Sequence, residues 1–261
     1  MTVEDGLLSL KVFLAIMGGV YALLLVFGPL VTWGTFNIHA DQPLKEIPLE
    51  LLPPKLLQAF SRVAPALAAA GFRCTVAVEA RGQVSGSDGY VALWVNDSTN
   101  DTVQVISAVS ALETVLTIGF ITSFDDGTLV ATSNATSTSV FRRLPNEYSV
   151  QLPGIWDMGL LYKIHAARVS HFAKPGSVTC AVAGGSEIGY LDSLSARVFD
   201  SQVQEGLLHY SAATHSYRPT FTGAFLMTWS QVWPISFLKR EIARRNSVSE
   251  LKRLGFDTSS L

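Results

Sequence analysis

Two hydrophobic patterns divide the chain. From 12 to 40 there is no Asp, Glu, Lys or Arg, and the stretch 12–33, VFLAIMGGVYALLLVFGPLVTW, is apolar on every face of a helix. At ~1.5 Å per residue its 22 residues extend about 33 Å, against roughly 30 Å of bilayer hydrocarbon. A buried core helix is usually shorter and keeps one polar face. A cleaved signal peptide has a basic start, a shorter apolar run and a small-residue cleavage site. This chain opens with Glu4 and Asp5 and has only Lys11 ahead of its run. The pattern predicts an N-terminal flank over 1–11 and a retained single-pass transmembrane anchor over 12–33. Trp33 suits the membrane interface. Gly18-Gly19 offers a smooth strip but lacks the small-xxx-small spacing of a helix-pairing motif.

Residues 34–54, with Pro43, Pro48, Pro53 and Pro54, read as a juxtamembrane linker. Leu56, Phe60, Val63 and Leu67 then recur at helical spacing until Gly71, with Pro65 expected to break the helix in two. Beyond it the period falls to two. Strands are predicted over 73–80, 89–95, 103–109, 114–124 and 128–133, rich in Val, Ile, Thr and aromatics. Asp126-Gly127 is a hairpin signal and 96–102 supplies turn formers. With no crossover helices between them, these strands form an antiparallel meander of about five. The fold class is therefore α+β, an N-terminal transmembrane helix followed by a domain over 55–220 with flanking helices. Further elements are an irregular stretch over 135–154, a helix over 156–172, a strand over 178–183, a helix over 187–201, and short strands over 207–211 and 218–221.

The tail, 221–261, changes character. Phe221, Phe225, Trp229, Trp233 and Phe237 recur every fourth residue, a slow spiral of rings on successive helical turns. Pro234 splits that run into one helix ending near Trp233 and a second beginning there. Ser247-Val-Ser-Glu250 has the form of a capping box opening a last helix that Gly255 closes. Three homes suit the rings: the open face of the sheet, the membrane interface beside the anchor, or a partner subunit. In the second, Trp229 and Trp233 sit at headgroup depth while Lys239, Arg240, Arg244 and Arg245 meet lipid phosphates.

Composition sharpens this. Only 15% of residues are charged, against ~25% in typical soluble domains, and 48% are hydrophobic. The anchor explains part of the deficit, yet the 221 residues from Asp41 onward still hold only 37 charges, so the folded domain is itself weakly charged. A net charge of −2 with this apolar content excludes a disordered chain and an overall basic nucleic-acid binder. Over 239–253, six basic residues stand against Glu241 and Glu250. Such a segment gains most from an anionic inner leaflet, which leans the main domain to the cytoplasmic side. Cys74 and Cys180 fit either two buried thiols or one disulfide.

No catalytic constellation emerges. His165, Arg168 and His171 read as a polar helix edge with one partly packed histidine, and two histidines six apart do not grip a metal together. His209 and His215 flank a hydroxyl-rich stretch. Gly184-Gly185-Ser186-Glu187-Ile188-Gly189 lacks the Lys-Ser/Thr of a phosphate loop and the Gly-x-Ser-x-Gly of a hydrolase elbow, and reads as a turn before a helix. Asp125-Asp126 belongs to a turn. No catalytic residue, metal or cofactor is assigned. The first expectation is a membrane-anchored, non-enzymatic accessory or scaffolding subunit whose partners are the lipid bilayer and other membrane protein subunits. Its contacts would be Trp33, Trp229, Trp233, Lys239, Arg240, Arg244 and Arg245. The second is a membrane-tethered ligand-binding or sensory domain with a pocket lined by Trp94, Phe120 and Trp156. A hydrolase using Ser186 or His209 comes third.

Overall fold

The structure, a computed structural model, describes residues 3–40, 44–81, 88–109, 114–136 and 139–258. The side chains of Glu4 and Asp5, Pro43 of the expected linker, and the last residues of the tail, 259–261, lie outside the described residues.

The apolar run lies within one helix, α1 (Val3–Thr35), which continues through Pro29. Its stretch Lys11–Thr35 has a mean hydropathy of 2.2 and is almost wholly exposed, so it is long and apolar enough to cross a membrane. The residues after it are less of a linker than their prolines suggest. They contribute β1 (Ile38–His39), β2 (Lys45–Glu46) and a single turn of 3-10 helix, and Ile38 is buried.

Next comes α2 (Pro54–Ala69), unbroken although Pro65 lies inside it. The proline deprives the Ser61 carbonyl of its donor, but Leu56, Phe60, Val63 and Leu67 are all buried on one face, and that anchorage holds the helix together across the gap. The strands are β3 (Arg73–Arg81), β4 (Asp88–Asn96), β5 (Asp101–Val109), β6 (Thr114–Ser123), β7 (Leu129–Ser133) and β8 (Glu147–Gln151). Together with β2 they form a seven-stranded sheet in the order β2-β3-β4-β5-β6-β7-β8. Neighbours pair antiparallel except β7 and β8, which are parallel. The sheet is thus wider than five strands. The stretch 135–154 is not wholly irregular, since it holds β8.

Alternation along the strands fills two cores. Ala77, Tyr90, Ala92, Trp94, Val103, Val105, Ile118 and Phe120 join the buried face of α2 and of α3 (Met158–Phe172). Val76, Val78, Leu93 and Val95 point the other way, onto Leu191 of α4 (Glu187–Gln204). Asp157 caps α3, accepting from the Leu160 amide at 3.0 Å. The expected strand over 178–183 reduces to one bridge, Phe124 with Thr179, flanked by backbone hydrogen bonds of Val178 with Asp125 and of Cys180 with Ser123. Ser186 precedes α4 after a turn in which Gly185 adopts φ +83.

A second sheet has the order β1-β10-β9, with β9 (Leu208–Ser211) and β10 (Ser216–Pro219). The tail holds two helices, α5 (Phe221–Gln231) and α6 (Ile235–Arg253). Ser247 opens no new helix: nothing between Ile235 and Arg253 interrupts the backbone, so Ser247 is an interior, buried residue of α6. Gly255, at φ +82, follows the helix end. Apolar and charged residues interleave around the first half of α6, where Phe237, Leu238 and Ile242 are exposed among Arg240, Arg244 and Arg245.

Candidate functional site

Phe221, Trp229 and Trp233 of the tail's aromatic stripe meet α1 and not the open sheet, while Phe237 is exposed on α6. The small sheet dictates this arrangement. α1 leads within three residues into β1, β1 pairs antiparallel with β10, and β10 leads within two residues into α5. The two helices inherit that antiparallel order and lie side by side. Thr220 caps α5 through the Gly223 amide at 3.0 Å, which fixes where the chain turns downward along α1.

The α1–α5 seam is close and partly polar. Trp33 meets Phe221 edge to face at 6.2 Å between ring centroids. Thr32 and Thr228 share a hydroxyl hydrogen bond at 2.8 Å, and the Trp229 indole N–H donates to the Leu25 carbonyl at 3.0 Å. The Tyr21 hydroxyl donates to the Trp233 carbonyl. Gly28 lies opposite Thr228, and a Cβ on it would stand 2.9 Å from the threonine methyl, so the glycine permits the close approach. Phe225 bridges Phe221 and Trp229 through ring contacts at 4.8 and 5.1 Å. From Trp33 to Tyr21 the seam descends about 18 Å.

Trp33, Trp229 and Trp233 all lie along this helix pair with exposed ring surface, but Trp33 and Trp233 stand at opposite ends of the seam, about 18 Å apart, so the three do not share the one headgroup depth that the sequence predicts. The four basic residues follow on α6. Lys239 donates to the Ser139 carbonyl at 3.4 Å and burial pushes its ammonium pKa down. Arg240 donates to Ser236 of its own helix. Arg244 and Arg245 both pair with Glu241, at 3.0 and 2.8 Å, and hydrogen bonds from both hold that carboxyl down at about 2.

Between this hairpin and the main sheet lies a cavity of about 780 Å³. One wall is β7 and β8; another is the segment 139–143; the third is α5 and α6. Leu207, Leu226, Trp229, Ile235 and Ile242 give it apolar surface, while Arg142, Arg143 and Lys239 stand against the single carboxylate of Glu147. Because β8 is the last strand of its sheet, α6 also covers an edge that would otherwise be open. The sequence concealed this site because its walls come from four separated segments.

Trp94, Phe120 and Trp156 are not brought together around one cavity. Trp94 and Phe120 are packed in the core against α2 and α3. Trp156 is 55% exposed and lines a smaller depression with Ile155, Leu160, Leu251 and Phe256. Ser186 is exposed at the start of α4, its hydroxyl donating to the Ala183 carbonyl, and His209 is exposed on β9. Cys74 and Cys180 are both free, the former half-buried with its thiol pushed up to about 11 by burial, the latter exposed. The tyrosine between the two tail-proximal histidines, Tyr210, reaches His215 at 3.3 Å. The Asp125-Asp126 turn is tied down by Val178, Thr128 and Lys174, and the Lys174 ammonium holds the Asp126 carboxyl at about 2. Among the described residues, no group of three His, Cys, Asp or Glu side chains is arranged to hold a metal ion.

The polar edge of α3 is the main correction. His165 and Arg168 are fully buried against β6 and β7, and only His171 remains at the surface. The sheet presents hydroxyls where a core would present methyls, and the helix answers them. Arg168 donates to Thr132 Oγ1 at 2.8 Å; Thr132 reaches His165 Nδ1 at 3.1 Å; His165 Nε2 reaches Thr122 Oγ1 at 2.9 Å; Thr122 donates to Asp101. With the Thr122 hydrogen spent on Asp101, Nε2 donates to Thr122; because burial keeps the ring neutral, Nδ1 then accepts from Thr132, the Nε2–H tautomer. Burial, then the nearby Arg168 charge, lowers its pKa to about 3. Asp101 also accepts from Thr99 at 2.7 Å and Tyr162 at 3.1 Å. Arg168 continues to the Ala131 and Tyr148 carbonyls and to Glu250 of α6, the last at 2.5 Å. This chain of bonds ties β5, β6, β7, α3 and the tail into one unit. Its histidine has no solvent-exposed surface, so the network is a structural brace.

No family model, no curated protein and no solved structure matches the chain.

Proposed function

We propose that the protein is a membrane-anchored, non-enzymatic accessory or scaffolding subunit of a membrane protein complex, held in the bilayer by α1 and docking through α1 and the α5–α6 tail. The observation that carries this reading is the α1–α5 pair, whose outer surface leaves Phe27, Val31, Trp33, Phe221 and Trp233 exposed at 51% or more. So continuous an apolar surface needs a covering of lipid or protein.

Lipid alone serves it poorly. With Trp33 at the interface, the turn between α5 and α6 lies about 18 Å down α1, within the hydrocarbon. Arg240 lies six residues beyond Pro234, nearly two helical turns or roughly 9 Å along α6, and is exposed. An unpaired charge at such depth costs about 2.5–3.5 kcal/mol on insertion scales, and intramembrane charges are found facing protein or a watery cavity. Lys239 faces the cavity; Arg240 calls for an acceptor on a neighbouring subunit. The basic stretch over 239–253 supports a domain on the cytoplasmic side.

Extraction in a mild detergent followed by chemical crosslinking tests this. Covalent adducts to a membrane protein through α1 or α6 are expected. A chain that crosslinks only as the lone monomer overturns the proposal.

A further inference from the structure

The cavity beside the α1–α5 seam has an unusual combination of wall materials, and the geometry points to a binding site for a single membrane-derived amphiphile with an anionic head and an acyl chain. The volume, about 780 Å³, lies in the ordinary range of ligand sites, roughly 300–1,000 Å³. Its apolar part, Leu207, Leu226, Ile235 and Ile242 with the Trp229 ring, matches a hydrocarbon chain. Charge then selects the head. Three cations line the cavity against one carboxylate, and among the described residues no carboxylate pairs with Arg143 or Lys239, whereas Arg142 is engaged by Glu205 at 3.2 Å. Arg143 and Lys239 are therefore the groups free to take an anionic headgroup.

Position supplies the third argument. Trp229 lines the cavity and also donates its indole hydrogen to the Leu25 carbonyl of α1, so one side chain separates the cavity from the apolar helix. The cavity therefore lies one side chain away from the surface that the membrane-anchored reading places in lipid. The inference rests on the membrane-anchored reading only for the source of the lipid; the cavity and its charges belong to the domain itself.

The test uses the full chain in bilayer nanodiscs of phosphatidylcholine doped with palmitic acid carrying a photoreactive diazirine near its methyl end. Peptide mapping is expected to find adducts on 226–242, saturable by unlabelled palmitate and unaffected by its neutral glyceryl ester. Two variants check the assignment: Arg143→Glu with Lys239→Glu removes the head contact, and Leu226→Trp fills the chain space. Each is expected to lower labelling of 226–242 by about tenfold or more, which corresponds to ~1.4 kcal/mol, while labelling of the outward face of α1 at Phe13 and Ile16 stays unchanged. Equal labelling in all three chains, equal competition by the neutral ester, or labelling confined to α1 overturns the inference and leaves the anchor intact. Failure to label α1 at all speaks instead against the membrane reading.

Discussion

Acid should destabilise this protein through His165. In the folded chain the imidazole is locked as the neutral tautomer between Thr122 and Thr132, with its pKa lowered to about 3. In the unfolded chain it returns to about 6.5. A base whose folded pKa is depressed is protonated preferentially in the unfolded state, so stability is complete above pH ~6.5 and falls as pH drops toward 3. Each pH unit within that window removes about 1.4 kcal/mol, so a shift from pH 7 to about 4.5 removes roughly 3 kcal/mol. For a chain of this size that corresponds to a fall in Tm of roughly 5–10 °C. The measurement is thermal unfolding in detergent, followed by near-ultraviolet circular dichroism, for the parent and for His165→Gln. The variant starts less stable but does not titrate in this window, so its Tm should fall much less between pH 6.5 and 4.5. Parallel decline in the two proteins would refute the neutral, sealed imidazole. The exposed pairs at Asp126 and Glu241, with carboxyls near 2, lose their attraction only below about pH 4 and do not confuse the comparison.

Other outcomes follow from the same structure. Arg168→Met removes the donor from the Glu250 carboxylate and should cost about 3–5 kcal/mol in chemical denaturation, with Arg168→Met and Glu250→Met together recovering part of it. A Cβ at Gly223 would stand 1.9 Å from the Leu207 carbonyl oxygen, so Gly223→Ala should lower stability by about 1–3 kcal/mol or more and weaken the α1–α5 seam, read as a red shift of tryptophan emission. Thr32→Cys with Thr228→Cys, whose hydroxyls are now 2.8 Å apart, should form a disulfide on mild oxidation in a chain lacking Cys74 and Cys180; no bridge would contradict the packing. On the proposed cytoplasmic placement of the domain, a membrane-impermeant maleimide should label Cys180 only after permeabilisation of intact cells, with Cys74 slower because burial keeps its thiol protonated.

What was legible in the sequence depended on repetition. The alternation of β4, with Tyr90, Ala92 and Trp94 on one face and Leu93 and Val95 on the other, is written in consecutive residues, as is the apolar uniformity of α1. Short or shared elements left no such trace. The two-residue strand β1 has no period to detect, and β8 pairs parallel to β7 across an intervening stretch of loop. The histidine network escaped because polar residues on a helix ordinarily mark its wet side. Only the hydroxyls of Thr122 and Thr132, more than thirty positions away, reverse that meaning. The stripe of rings was legible as a helical pattern, but nothing local says whether rings face a sheet, a lipid or another helix.

The small three-stranded sheet also determines how the apolar helix is joined to the rest of the molecule. A domain hung from its anchor by a flexible tether would ignore the tilt of that anchor. Here α1 runs into β1, β1 is bonded to β10, and β10 runs into α5, so the apolar helix and the tail are joined by backbone pairing at Ile38 and Tyr217 with only short connections on either side. Along α5 the pairing continues to Trp229, which is bonded to α1 and is simultaneously a wall of the cavity. On the membrane-anchored reading proposed above, the apolar helix and the cavity are thus separated by the small three-stranded sheet along the backbone and by a single side chain in space.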